Sequence, residues 1–465
     1  MASGRKSKAK DLFDRIQGDK VIWIVLIFLT LLSTVAIFSA TSLDSSILSG
    51  EQTRVNIFLG QVAAVAGGFL IMLIIYKFIN IRVIRWLSQL GWVFSLSLLL
   101  PLFLRVGVEN GGILPSLAPI IRAEYINEAW RTLRIFGIQV HVFEFVKVAM
   151  VMYLAWAVET WKTHSFSIAN FLSSRISWMG WLARPIWQGI VYIFIPIATV
   201  SICLISGSMS TVLFVGLVMF ATLFVGGFSI RDTLIYLLII VIGLVAGYGL
   251  YKAVPDGSKV ERMLGKVYGR VETAFSRVDK YEDAITADLS VAEQIRNEQD
   301  PNKRRDIIDR NLQTEGAKLA IHEGGILGKG PGRSTQKYRV PLIFGDYMYS
   351  FIIEEYGLWM AIVVLIMYVS LLARGSRVAM MCNRIYARTV VAGLTLLISG
   401  QAMMHMLINV GLVPVTGQTL PIVSDGKSSL LAFYCAFGII LKVSKTAKKQ
   451  MDKAIRDIEQ RENQE

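Results

Sequence analysis

Ten stretches of mostly apolar residues recur along the chain, at about 21–42, 55–78, 83–105, 138–158, 186–206, 209–229, 232–252, 346–373, 389–412 and 428–443. Most run to roughly 20 residues, the length a helix needs to cross the hydrocarbon of a bilayer. The sequence is 54% hydrophobic and only 18% charged, with a mean hydropathy of +0.53. The expected fold class is therefore an all-α polytopic membrane protein with about ten transmembrane helices. A net charge of +14 would suggest nucleic acid for a soluble protein. Here it reads as topology signal and contact with anionic lipid, so no nucleic-acid partner is expected.

The basic residues set the topology. Residues 1–20 carry Arg5, Lys6, Lys8 and Lys10 and are placed in the cytoplasm. Their apolar run has no small-residue cleavage site and reads as an anchor. An even number of spans returns the C-terminus to the same side. The loops from Lys77 to Arg85, around Arg175 and Arg184, and at Arg374, Arg377, Arg384 and Arg388 are basic and would be cytoplasmic, whereas 43–54, 106–137 and 413–427 would be external. The expected divisions are a basic cytoplasmic N-terminus (1–20), helices one to seven (21–252), a large extracytoplasmic loop (253–345), helices eight to ten (346–443) and a cytoplasmic tail (444–465). The middle of the large loop, 281–313, has mixed charge at helical spacing and reads as a solvated amphipathic helix pair. Three cysteines, Cys203, Cys382 and Cys435, form neither a disulfide framework nor a zinc pattern.

Ionisable groups at membrane depth are the natural functional candidates. The stretch 324–357 reads GGILGKGPGRSTQKYRVPLIFGDYMYSFIIEEYG. A Gly-rich loop bearing Lys329, Arg333, Ser334, Gln336, Lys337 and Arg339 enters a helix that holds Asp346, Glu354 and Glu355. At 100° per residue, Asp346, Ser350, Glu354 and Gly357 share a face, and Glu355 points away and needs a partner on another helix. The competing reading is an acid cluster that lines a pore or pairs helices. Glu144 and Lys147, three residues apart, can pair within the fourth span, as a head-group anchor or as a structural ion pair. Gln401, His405 and Asn409 form a polar stripe on the ninth span, suited to interhelical hydrogen bonds. The segment 411–430 is rich in Pro and Gly and carries Ser424, Ser428 and Ser429. Such backbone survives at membrane depth only beside protein or a water-filled cavity, so it reads as a cavity wall.

These motifs resemble the SEDS family (shape, elongation, division and sporulation) of FtsW and RodA, and within it the FtsW branch. The resemblance rests on GGILGKGPGRSTQK (324–337), DYMYSFIIEEYG (346–357), QAMMH (401–405), LVPVTGQTLPIVSDGKSSLLA (412–432) and FEFVK (143–147), and covers residues 20–445. It implies a peptidoglycan glycosyltransferase of the bacterial cytoplasmic membrane, acting at the division septum. Its substrate would be lipid II, a disaccharide-pentapeptide on undecaprenyl pyrophosphate. Its partners would be a class B penicillin-binding protein transpeptidase and other membrane proteins of the division complex. Asp346 would be the catalytic residue. Lys329, Arg333, Ser334, Gln336, Lys337, Glu144, Lys147, Ser424 and Ser428 would contact substrate, with Glu354, Glu355, Gln401 and His405 in support. A divalent cation (Mg or Mn) could assist the leaving group, but no ligand cluster identifies one and no metal site is assigned.

The chain departs from the family pattern at His141, Val142 and Phe143 before Glu144, at Ser208 where an acid is usual, at Phe344 and Gly345 before Asp346, at His405, and at Asp425, Gly426 and Lys427. If the missing acid normally pairs with the span-four lysine, Lys147 needs Glu144 or another partner. The alternatives are a lipid II flippase, an elongation polymerase of the RodA kind, and a scaffold that would tolerate loss of Asp346.

Overall fold

The computed structural model describes residues 17–40, 54–108, 112–126, 129–166, 171, 174–175, 180–181, 183–205, 207–253, 265, 268, 296, 301–340, 343–414 and 417–462. Helices occupy the apolar runs: α1 (Lys20–Ala40), α2 (Arg54–Phe78), α3 (Ile81–Ser88), α4 (Gly91–Leu104), α5 (Val142–Lys162), α6 (Pro185–Ile205), α7 (Met209–Gly226) and α8 (Ile230–Ala253). After these come α9 (Pro301–Gly324), α10 (Ile343–Asp346), α11 (Met348–Tyr356), α12 (Leu358–Met380), α13 (Ile385–Asn409) and α14 (Lys427–Glu462). Among the described residues, seven helices are long and apolar enough to cross a membrane, or eight if α3 and α4 count as one broken span. Helices α5 and α8, at the fourth and seventh expected positions, fall outside that set. Large apolar side chains such as Leu31, Leu70, Leu213, Leu217 and Ile366 stand exposed on the outer faces of the spans, as lipid-facing residues do.

The bundle is organised around α13. It packs against α12, α7 and α5, and Leu394, Ile398, Ala402 and His405 along it are fully buried. Gly393 lets Val151 and Thr222 approach its backbone closely, the small-residue device by which membrane helices gain van der Waals contact. α14 runs the length of α2.

Several expected boundaries are corrected. The third span is not continuous: α3 and α4 meet at a 47° bend. The fourth begins at Val142 rather than 138, because the residues before it form strands. The tail is helical, since α14 continues from the tenth span to Glu462. Of the expected helix pair over 281–313, the C-terminal part is α9, which lies on α11; the remainder falls outside the described residues.

Residues 121–141 contain the largest departure from an all-helical plan. A three-stranded antiparallel sheet is built from β1 (Ile121–Ile126), β2 (Ala129–Ile135) and β3 (Ile138–His141) in that order. Phe136 and Gly137, both with positive φ, close the β2–β3 hairpin, the two-residue turn that matches strand twist.

The expected eighth span, 346–373, is broken twice. Tyr347 separates α10 from α11, and Gly357 (φ 84, ψ 171) separates α11 from α12. That conformation is essentially reserved for glycine. A Cβ on Gly357 would stand 2.2 Å from the Ile326 carbonyl oxygen, and one on Gly328 2.4 Å from that of Glu355. The loop after α9 therefore lies directly against the end of α11. Lys329 and Gly330 N–H donate to the Glu354 and Glu355 carbonyls at 2.9 Å each, and Leu358 N–H returns a bond to Gly325. These bonds satisfy helix-end carbonyls that would otherwise lack partners.

Gly357→Ala combines backbone strain with a backbone clash and is expected to cost at least about 2 kcal/mol. Gly332→Ala also has positive φ but meets open space, and should cost about 1 kcal/mol. Melting temperatures of the detergent-solubilised variants check the order.

Candidate active site

Two polar clusters sit at the two ends of α11, and different elements build them. The first surrounds Glu354 and Glu355, both fully buried. Lys329 Nζ donates to Glu323, to Thr335 Oγ1 (2.6 Å) and to Glu354 Oε1 (2.8 Å), which uses all three of its N–H donors. Ser334 Oγ donates to Glu354, and the backbone N–H groups of Thr335 (2.7 Å) and Gln336 (3.2 Å) do the same. Glu355 accepts from Ser39 on α1, with Lys337 Nζ 3.8 Å away. Lys337 also donates to the Gly332 and Ser39 carbonyls. Hydrogen bonds from Lys329, Gln336 and Thr335 hold the Glu323 carboxyl down at about 2. The stability this lends persists above the ordinary carboxylate range and is lost as pH falls toward 2.

Glu355 finds its expected partner on another helix, Ser39 of α1. The 324–337 loop crosses the end of α11 and meets both acids. Asp346 does not share a helix face with Glu354, because Tyr347 breaks the helix between them.

The second cluster surrounds Asp346, the last residue of α10. It lines a cavity of about 110 Å³ with Arg131 and Thr132 of β2, His141 of β3, Glu144 and Lys147 of α5, Thr211 of α7, the loop residues Gly417, Gln418, Thr419, Asp425 and Gly426, and Ser429 of α14. Burial pushes the Asp346 carboxyl above its ordinary range, and the nearby Arg131 and His141 oppose that rise. Burial also lowers His141, against the pull of Glu144, Asp425 and Asp346. Gly417 (φ 64) makes the close approach possible, since a Cβ there would stand 2.9 Å from Arg131 Nη1 and 3.6 Å from Asp346 Oδ2.

The cavity floor is hydrogen-bonded throughout. Lys147 Nζ donates to Glu144 Oε1 (2.7 Å), Gln401 Oε1 (2.6 Å) and Gln418 Oε1 (3.5 Å). Gln418 Nε2 donates to Thr211 (2.9 Å). Glu144 is thus the carboxylate partner of Lys147, and Ser208 caps α7 through Thr211 N–H. His405 Nδ1 meets the Gln418 carbonyl at 2.7 Å, and Tyr349 N–H donates to its Nε2. That is a neutral ring tied to backbone on both sides, with no free nitrogen for acid–base work. Asn409 donates to the Asp346 carbonyl and accepts from Ser350 N–H and Oγ, fixing the α10–α11 corner. Ser424 donates to the Gly345 carbonyl at 2.7 Å and accepts from Leu420 N–H. Ser428 accepts from His141 N–H at 2.9 Å.

Of the residues expected at the site, Asp346, Glu144 and Lys147 share the cavity. Gln401, His405, Ser424 and Ser428 bond to its walls. Lys329, Ser334, Gln336 and Lys337 do not line it; they engage Glu354, Glu355 and Glu323. Arg333 is exposed. Arg131, Gln418 and Thr211 were missed by sequence reasoning. The β-favouring residues Trp130, Thr132 and Ile135 were the available signal for a strand carrying Arg131. Nothing local marks Gln418 or Thr211.

A family model described as "cell cycle protein" and covering FtsW, RodA and SpoVE matches residues 19–449. A protein of Caulobacter vibrioides named "probable peptidoglycan glycosyltransferase FtsW" is 35% identical over 136 residues, covering 29% of this chain and 35% of that protein. One of the same name from a Geobacter species is 28% identical over 317 residues, covering 68% and 71%. The chain thus spans little more than a third of the length of the first curated relatives it matches. A solved chain from a peptidoglycan synthase complex that coordinates polymerization and crosslinking superposes with a TM-score of 0.58 at 20% identity, covering 92% of this chain and 98% of that one, which establishes a common fold.

Lys147→Met would leave Glu144 facing the cavity without its cation, and is expected to cost about 3–5 kcal/mol. The double variant Lys147→Met/Glu144→Leu should recover most of that loss. Thermal melting of the three proteins measures both effects.

Proposed function

The chain belongs to the FtsW, RodA and SpoVE family of cell cycle proteins, and from that premise we propose that it is a peptidoglycan glycosyltransferase that polymerises lipid II, with Asp346 as general base. The observation that carries the reading is the Asp346 cavity. A carboxylate raised by burial, held beside Arg131 and above the Lys147–Glu144 pair, sits at the mouth of a membrane bundle.

The Asp346 carboxylate takes the proton from the acceptor sugar's 4-hydroxyl, and that oxygen attacks the anomeric carbon of the lipid-linked donor. The anomeric carbon–oxygen bond breaks, and undecaprenyl pyrophosphate leaves with the electron pair. A single displacement inverts the anomeric centre. Arg131 favours the ionised form of Asp346, against the rise that burial causes. The second oxygen of Glu144 is buried and has no hydrogen-bond partner among the described residues.

Mg or Mn is the cofactor the family resemblance leaves open. Among the described residues no three His, Cys, Asp or Glu side chains cluster closely enough to hold a metal ion, and no step is routed through one. The reading places the Asp346 end on the external face, the enzyme at the septum, and a class B penicillin-binding protein and other division proteins beside it. The peptidoglycan synthase fold and the curated relatives' names support this partnership and substrate. Nothing favours the flippase reading. The segments 148–158, 389–409 and 428–441, which pack around the Asp346 cavity, carry no charged residue.

Purified protein with lipid II and its cognate penicillin-binding protein tests the reading. Asp346→Asn should lower polymerisation at least about a hundredfold while melting temperature and partner binding persist. The wild-type rate should fall as pH drops through a midpoint above the ordinary carboxylate range, because the protonated carboxyl cannot accept the proton. A variant as fast as wild type would sink the assignment of Asp346.

A further inference from the structure

A cavity lies at the end of the bundle opposite Asp346. It holds about 530 Å³ between two helix elbows and α14. One elbow joins α2 to α3 at Asn80–Arg82, and the other joins α12 to α13 at Cys382–Arg384. Three cations, Arg82, Arg384 and Lys442, line it, and no Asp or Glu does.

Lys442 is 8% exposed. Among the described residues its ammonium makes one hydrogen bond, a long one of 3.5 Å to the Lys77 carbonyl. No carboxylate lines the cavity to balance this ammonium, so an anion bound there would meet it. Helices α3 and α13 both begin at this cavity. Neither Asn80 nor Arg384 forms a side-chain cap. Uncapped helix starts present N–H donors and a partial positive charge to an anion.

We propose that this cavity binds the phosphate headgroup of an anionic phospholipid. The choice of a lipid over free phosphate comes from the cavity's setting. Phe78, Val83, Trp86 and Met380 stand exposed beside the cationic elbows, so apolar surface for acyl chains adjoins the charged socket. The elbows also belong to helices long and apolar enough to span a bilayer, which puts the socket at headgroup depth. Anionic lipid is attracted to basic segments at this level. The inference uses neither Asp346 nor the proposed reaction.

Native mass spectrometry of the full-length protein released from nanodiscs of mixed phosphatidylglycerol and phosphatidylcholine tests the socket. Wild type should retain phosphatidylglycerol over phosphatidylcholine. Lys442→Gln and Arg384→Gln should each lower that preference about fivefold, the weight of one interfacial cation. Lys442→Arg should retain the preference, and so should Lys449→Gln on the exposed tail. If Lys442→Gln fails to fold, the exposed Arg384→Gln carries the test. Unchanged retention in Arg384→Gln, or an equal loss in Lys449→Gln, overturns the proposal. Displacement of phosphatidylglycerol from wild type by millimolar inorganic phosphate would make the occupant free phosphate and overturn the lipid assignment.

Discussion

Two adjacent carboxylates with no exposed surface, Glu354 and Glu355, are the interaction on which the rest of the site depends. Isolated, each would be too expensive to bury. Lys329, Ser334, two backbone N–H groups, Ser39 and Lys337 offset that cost. The same contacts tie the end of α9, the first transmembrane helix and α11 into one corner. With α11 fixed, Tyr347 and Asn409 set the direction of α10, and Asp346 is delivered to the cavity under the β-sheet.

The polar groups therefore divide by role. The Gly-rich loop resembles a phosphate cradle in composition, but its N–H groups at Lys329 and Gly330 are spent on helix-end carbonyls. Its lysines are spent on buried acids. The groups left facing the Asp346 cavity come from elsewhere: Arg131 from a strand, Lys147 and Glu144 from α5, Gln418 and Asp425 from the loop before α14. Assembling one cavity from four distant segments requires the whole bundle to be folded.

Much of this was legible in the sequence. The apolar runs mark helices because the pattern is long and local. Asp346, Glu144 and Lys147 stood out because charge at membrane depth is rare. The helix breaks at Gly357 and between α3 and α4 were not legible, because tertiary contacts impose them: Gly357 must accept the 326–328 backbone at van der Waals range. The sheet was missed because its strands are short and lie in a segment of mixed charge. The loop cations were assigned to substrate because glycine and lysine serve an anion and a helix end with equal chemistry. Only the fold shows that Glu354 takes Lys329.

The division of labour between loop and cavity is the central claim, and Lys329→Met tests it most directly. The measurement pairs the melting temperature with the lipid II polymerisation rate per folded molecule. Loss of the Glu354 partner should lower the melting temperature clearly while the rate per folded molecule stays within about threefold of wild type, since Lys329 does not line the Asp346 cavity. An unchanged melting temperature with a collapsed rate would contradict the account and make the loop a substrate-binding element.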